Sequence, residues 1–424
     1  MISPARKAAI AGLQCWRQKG KVIFPSISRP EDAKLAERIV QGVMHNERFL
    51  DACIAKYMSA GFSRLHPQTL DLLRMSAYQI LFLDRVPDSA AVHDAVSICR
   101  NGALAYSAGF VNAVLRKISA EKENLLSLDF PLAVRFSISD WLADSLVNHY
   151  GDEFVRQFLS ASQEAPRLRV QINTQRCSLS EYISLLNDAG IDILSVNFFL
   201  SSVELDSFPV EKLPGYHEGL FYIQDDAARS AVRLAAVKPN MQVLDVCAAP
   251  GGKSIAAALD GGRVLAWDQN ETRLRLCREN FSRLKMKIGI EQMDARTWRP
   301  ELEGQFDLVI ADVPCSGTGV IRKHAEIRHR KESDVLKLIV LQKEILDTVH
   351  QYVRKGGTLL YSTCSILPEE NEDQVQRFLQ AHPEFSLEPA SVEGFNCENG
   401  MLYSWPQSNK NDGFFAAKMR KSND

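Results

Sequence analysis

No C-x-x-C pair occurs among the nine cysteines of this 424-residue chain, and their number is odd. That pattern excludes a disulfide framework and a paired-cysteine zinc site, and it points to free thiols in a reducing compartment, with no metal expected. Apolar runs are short: none approaches the roughly 18–20 residues that cross a bilayer. The opening Met1-Ile2-Ser3-Pro4-Ala5-Arg6-Lys7 leads into an amphipathic pattern with no apolar export segment, so a cytoplasmic protein without a membrane partner is expected. Net charge is nearly absent at −2, so attraction for nucleic acid would have to come from local patches. Flexible Gly/Ser linkers, internal repeats and low-complexity tracts are also missing.

What remains is a globular composition, 46% hydrophobic and 24% charged, long enough for two or three domains. Up to about residue 120 apolar positions recur at helical spacing, as in Leu35, Ile39 and Val43, with breaks at Pro25–Pro30, His66-Pro67 and Val86-Pro87. This predicts an all-helical bundle over 1–125. Residues 126–235 change character. A helix signal at Trp141–Tyr150 precedes a β-like run Leu168–Ile172, a helical stretch Leu179–Ala189 and a second β-like run Ile193–Phe199. A small α+β module is expected, docked on the C-terminal part of the chain. Over 236–424 short apolar runs alternate with helical sequence: Val243–Val246, Val264–Trp267, Ile288–Met293, Phe306–Ala311 and Thr358–Ser362. Such alternation predicts βαβ units and a mostly parallel sheet covered by helices, closed by a last strand at Phe414–Met419.

Two cysteines stand in distinctive contexts. Cys315 lies in Asp312-Val313-Pro314-Cys315-Ser316-Gly317-Thr318-Gly319, and Cys364 in Tyr361-Ser362-Thr363-Cys364-Ser365. Each comes after a predicted buried parallel strand, and ligands of open α/β sheets bind beyond the carboxyl ends of strands. Both thiols should therefore face one crevice, which suggests covalent chemistry. The remaining cysteines read as core or surface residues.

The first parallel strand ends in Asp245-Val246-Cys247-Ala248-Ala249-Pro250-Gly251-Gly252-Lys253-Ser254. A phosphate-binding loop would fit Gly252-Lys253-Ser254, but Cys247 stands where its first glycine belongs and Pro250 removes an amide donor. The dinucleotide fingerprint is absent. A nucleoside without pyrophosphate fits better, S-adenosylmethionine being the common case. The second strand ends at Asp268, placed for a ribose diol, and the third leads to Asp294, placed for an adenine amino group; both positions also suit helix N-caps. Two basic runs are candidates for nucleic-acid contact. The run Arg273, Arg275, Arg278, Arg283, Lys285, Lys287 reads as a solvated helix face. The run Arg322, Lys323, Arg328, Arg330, Lys331 lies just past the presumed crevice and reads as substrate contact.

With these motifs in view, the chain resembles the Nol/Nop/Sun family of RNA cytosine-C5 methyltransferases. The match rests on Cys247–Lys253, on Asp312-Val313-Pro314-Cys315 and on Thr363-Cys364-Ser365, and extends to Phe221–Asp225 and Asp412-Gly413-Phe414-Phe415. The N-terminal stretch, with Phe110-Val111-Asn112-Ala113-Val114-Leu115-Arg116, resembles the NusB RNA-binding fold, an arrangement found in the bacterial Sun/Fmu type. The resemblance implies a NusB-like bundle, an α+β module and a Rossmann-like class I methyltransferase domain. It implies S-adenosylmethionine as cofactor, held by Cys247, Ala248, Ala249, Pro250, Gly251, Gly252, Lys253, Asp268, Asp294 and Asp312. It implies 16S ribosomal RNA, or an early small-subunit assembly particle, as partner. Cys364 would be the nucleophile, Cys315 would assist release, and Asp312 would contact the cytosine. A free thiol titrates near pH 8.5, so Cys364 needs local positive potential, with Lys253, Arg322 and Lys323 as candidate sources. The chain departs from the family at Ala325, where proline is common, at His329, where tryptophan often stands, and at Asp225–Arg229, which lacks a usual serine.

Overall fold

The computed structural model describes residues 2–59 and 61–424. By their internal packing the residues divide into two compact units, Met1–Val147 and Asn148–Asp424.

The first unit is helical throughout. Its main helices are α1 (Pro4–Lys19), α2 (Pro30–His45), α3 (Glu47–Ala55), α4 (Pro67–Phe82), α5 (Asp88–Arg100) and α6 (Ala108–Ala120). Three of them, α1, α2 and α4, begin with proline, whose fixed φ and missing N–H suit the first turn. α4 is the central element, buried along nearly its whole length by Leu72, Leu73, Met75 and Ile80. Arg6 and Asp94, both buried, meet at 2.6 Å, and Gln79 accepts a second bond from the same guanidinium at 2.6 Å. A buried pair with its remaining donors satisfied is stable where a lone charge would not be.

In the second unit a four-stranded antiparallel sheet comes first: β1 (Leu168–Ile172), β2 (Ile193–Asn197), β3 (Ser202–Leu205) and β4 (Phe221–Ile223), in the order β2-β3-β1-β4. Helix Leu179–Asp188 covers it, starting with a capping box between Ser178 and Glu181. This module is hydrogen-bonded to the C-terminal part of the unit, as expected. Buried Asp226, at the start of helix Asp226–Ala235, accepts bonds from Gln171 and Ser202 at 2.7 Å each, and Asn173 donates to the Leu284 carbonyl at 3.2 Å.

The large sheet contains β5 (Gln242–Asp245), β6 (Arg263–Asp268), β7 (Gly289–Gln292), β8 (Phe306–Asp312), β9 (Val353–Thr363), β10 (Phe385–Leu387), β11 (Asn396–Glu398), β12 (Met401–Ser404) and β13 (Phe414–Lys421). Its order is β11-β12-β13-β9-β8-β5-β6-β7, with β10 paired to β13. β5 to β9 run parallel, while β13 lies antiparallel against β9. Strands buried on both faces carry continuous apolar sequence, as Leu308–Ala311 of β8 does. Alternate residues then serve two cores: Val309 and Ala311 pack with Leu346 and Phe378 on one face, Leu308 and Ile310 with Ala231 and Ala256 on the other.

The eight predicted strands exist, most with ends moved by a residue or two; β9 starts five residues earlier. The sequence carries no clear signal for β3, β4 and β10 to β12. They are three or four residues long, too short to show a period of two. None of the described helices is long and apolar enough to cross a membrane.

Candidate active site

β5 is flanked by β6 on one side and β8 on the other, so the connections leave it in opposite directions and open a crevice at its carboxyl end. The turn after β5 stays close to its neighbours. Gly251 has φ +107°, and a Cβ there would lie 2.7 Å from the Phe281 ring. A side chain at Gly252 would meet Gln224 at 2.8 Å. Only glycine lets this turn lie so near the neighbouring side chains and start helix Gly252–Leu259 there. Beneath the turn, Ser254 Oγ donates to buried Asp245 at 2.6 Å.

Burial pushes the Asp245 carboxyl up to about 7, with Asp312 adding to the rise and the Ser254 bond opposing it. A carboxyl raised in the folded state favours folding while protonated; that contribution is lost as pH rises from the ordinary carboxylate range through about 7. Asp245→Asn should therefore flatten the dependence of stability on pH between about 4 and 7, gaining relative to the native protein at the alkaline end. Urea unfolding at several pH values tests this, and parallel curves for the two proteins would refute it.

The crevice holds a cavity of about 470 Å³, within the size range of small-ligand sites. Cys247, Ala249, Pro250, Lys253, Asp312, Cys315 and Cys364 all line it. The two thiols lie with Sγ atoms 3.2 Å apart. Lys253 Nζ pairs with Asp312 Oδ2 at 2.7 Å, and Asp312 Oδ1 accepts from Ser362 at 2.8 Å. An adjoining cavity of about 320 Å³ is lined by Ala248 and Gly252 and shares Ala249, Pro250, Lys253 and Asp312. Asp268 and Asp294 line neither. Buried Asp268 binds the Ala249 and Asn270 amides at 3.3 and 2.9 Å. Asp294 pairs with Arg296 at 2.7 Å, which holds its carboxyl below the usual range.

Two of the thiols on the cavity are pushed up by their surroundings. The hydrogen bond to Cys364, enclosure, and the charges of Cys364, Glu370 and Asp312 push Cys315 well up. Cys247 is also pushed well up, by burial and then by Asp245, Asp268 and Asp312, which suits a packing residue and not a nucleophile.

The two basic runs fare differently: Arg275, Arg278, Lys285 and Lys287 are exposed, as on a solvated helix face, whereas much of the second run turns inward. Arg322 Nε bonds Asp412 at 2.8 Å, Lys323 Nζ bonds the same carboxylate at 2.5 Å, and Asp225 faces both cations at 3.7 and 3.5 Å. Burial would raise both acids. At Asp225, Lys323 and Arg322 outweigh it and the carboxyl is held low; at Asp412 burial and Asp225 prevail and it is raised. Arg328 is wholly buried and bonds the Ser162 carbonyl. Arg322 and Arg328 are thus buried within the protein, while Lys323, paired with two carboxylates, and Lys331 remain exposed. In the other run, Arg273 bonds the Ala249 carbonyl and lines the cavity, and Arg283 stacks at 4.4 Å on Tyr216 while bonding two carbonyls. Each candidate cation for Cys364 thus already has a carboxylate partner.

Sequence reasoning assigns no role to Asp225, Asp412, His324 or Phe414, all of which line the cavity. Three of them fall in the stretches Phe221–Asp225 and Asp412–Phe415 that carry the resemblance; no local pattern singles them out.

Comparison with known proteins agrees with this layout. Residues 232–420 match the model of the 16S rRNA methyltransferase RsmB/F, residues 3–120 the NusB family, and residues 138–211 the ferredoxin-like domain of RsmF/B-like methyltransferases. The ribosomal RNA small subunit methyltransferase B of Citrobacter koseri is 34% identical over 92% of this chain and 91% of its own length. That of Salmonella arizonae is 36% identical over the same shares. Among solved structures, PH0851 superposes over 99% of both chains with a TM-score of 0.78 at 24% identity. NSun6 from Pyrococcus horikoshii with SFG covers 68% of this chain and 99% of its own, with a TM-score of 0.60 at 20% identity. At those identities the two structures speak for the fold alone. A NusB-type bundle, a ferredoxin-like module and a Rossmann-like catalytic domain, at this level of identity over nearly the whole length, make the chain a member of the 16S rRNA methyltransferase RsmB/F family.

Proposed function

We propose that this methyltransferase modifies C5 of one cytosine in 16S ribosomal RNA, cytosine 967 being the target that the family resemblance suggests, through a transient bond between Cys364 and C6. The observation that carries the reading is the pair of thiols 3.2 Å apart on the wall of one cavity, beside the Lys253–Asp312 pair and the glycine turn.

Cytosine C5 is a poor nucleophile. Addition of the Cys364 thiolate at C6 moves electron density to C5 and makes it enamine-like. S-adenosylmethionine, the family's cofactor, supplies an electrophilic methyl group. The backbone of the turn 247–253 would hold the cofactor, with Asp268 and Asp294, outside both cavity walls and engaged by the Ala249 and Asn270 amides and by Arg296, as the next carboxylates along that edge of the sheet. Asp312 sits where it can hold the pyrimidine's polar edge, its charge balanced by Lys253. Loss of the C5 proton to a base restores the C5–C6 double bond and returns the C6–S electron pair to Cys364. Cys315, adjacent to that sulfur, is the group positioned to assist this last step.

In this reading residues 236–424 perform the chemistry, while 1–125 and 126–235 hold flanking RNA. The helical bundle offers a groove for it. Between α5 and α6 a cavity of about 760 Å³ is lined by His93, Arg100, Asn112 and Arg116, whose cations suit phosphate. The double substitution Arg100→Ala/Arg116→Ala should weaken RNA binding and lower the slope of log affinity against log salt by about 1.4, at roughly 0.7 per single-strand phosphate contact. An unchanged slope in filter binding would exclude the groove.

Incubation with labelled S-adenosylmethionine and 16S transcripts or small-subunit particles, with nucleoside mass spectrometry of the product, tests the function. The expected product is 5-methylcytidine at one position. Label in transfer RNA or another ribosomal cytosine, or none with any RNA, would replace this reading by the alternatives of a different m5C target or a non-catalytic assembly factor.

A further inference from the structure

The two cysteines sit on different loops, and the contacts beneath them converge on consecutive residues, Glu370 at the end of the 3-10 turn Pro368–Glu370 and Asn371 just after it. Glu370 is wholly buried. Its Oε1 accepts from the Ser316 amide at 2.8 Å and from Gln342 Nε2 at 2.9 Å, and its Oε2 accepts from the Ser316 hydroxyl. The same Gln342 amide donates to the Pro314 carbonyl at 2.9 Å. Both neighbours of Cys315 are thereby fixed. Asn371 does the equivalent for the other loop: its Nδ2 donates to the Ser365 carbonyl at 3.0 Å, and its Oδ1 accepts from the Thr363 hydroxyl at 2.5 Å. Both neighbours of Cys364 are fixed as well.

A buried carboxylate is costly unless its hydrogen bonds compensate it. Here no Lys or Arg forms an ion pair with Glu370 among the described residues; its three partners are a backbone amide, a hydroxyl and a side-chain amide. An acid is nonetheless the side chain the site demands. Three donors point at it, and only a carboxylate is an acceptor at both atoms; glutamine would turn an N–H toward one of them.

We propose that Glu370 and Asn371 are a pair of positioning residues that clamp the Cys315 loop and the Cys364 loop to one turn, so that the two thiols stay in reach of one another and of the same pyrimidine. This rests on the covalent route through Cys364. Because each residue holds one loop, each variant should fail at a different step. The Glu370 charge also contributes to keeping Cys315 a thiol, alongside Cys364 and Asp312; Lys253, Arg273, Asp225, Asp412, His324 and Cys247 are the other charged or titratable groups on that cavity.

The test uses the full-length protein with labelled S-adenosylmethionine and 16S RNA, reading turnover, KM and the protein–RNA adduct on denaturing gels. A displacement of reacting groups by about 1 Å costs on the order of a hundredfold. Glu370→Gln should lower kcat by about that factor with KM for RNA and cofactor within about twofold, and should accumulate adduct. Asn371→Ala should slow turnover without accumulating it. Should Glu370→Gln fail to fold, Ser316→Ala removes one donor, leaves the carboxylate, and should accumulate adduct more weakly. Folded Glu370 or Ser316 variants with native turnover, or with slow turnover and no adduct, would overturn the clamp. Cys315→Ala is the control: if it too leaves no adduct, the covalent route is what fails.

Discussion

Cys364→Ala is expected to abolish methyl transfer while leaving both substrates bound. Deleting a nucleophile in covalent catalysis costs on the order of a million-fold in turnover, because the groups left behind have no intermediate to stabilise. The substitution removes one sulfur from the wall of the cavity and leaves the glycine turn, the Lys253–Asp312 pair and the acids of the neighbouring strands intact. Dissociation constants for S-adenosylmethionine and 16S RNA should therefore stay within about threefold of the native values. Labelled methyl incorporation and equilibrium binding, measured on the same preparation, separate the two. Turnover at the native rate would remove Cys364 from the chemistry.

The second large effect is expected at Cys315→Ala, with the opposite signature. Attack at C6 and methylation should proceed once, after which the enzyme remains bonded to its product. A denaturing gel should show a slow band carrying both protein and RNA, with about one methyl group per enzyme. The band should be absent in Cys364→Ala and in the double variant. The difference arises from geometry: with the Sγ atoms 3.2 Å apart, Cys315 lies beside the sulfur that must leave. A variant that turns over freely would show that release needs no second thiol.

Much of this site is legible in the order of the amino acids alone. Cys315 and Cys364 stand out because each comes after a run of buried apolar residues and breaks it with small and polar ones. The parallel strands are legible for the same reason, since burial on both faces leaves an uninterrupted apolar signature. What stays hidden in one dimension is side-chain direction. Arg322, Lys323 and Arg328 look like a surface patch along the chain, yet Asp225 and Asp412, distant in sequence, fold onto two of them and Arg328 turns into the interior. Glu370 likewise resembles any solvated acid of a Pro-Glu-Glu stretch. Only the meeting of the Cys315 loop and helix Glu332–Val349 around it shows otherwise.

The pairing of two cations with two carboxylates beside the cavity has a kinetic corollary. Since Arg322 and Lys323 are cancelled by Asp225 and Asp412, and Lys253 by Asp312, the chamber exerts little net pull on a polyanion. Long-range capture of the nucleic acid is then the business of remote surfaces, where dissolved ions compete. Ionic strength would govern how often an encounter occurs and hardly touch the pace of bond making once the base is seated.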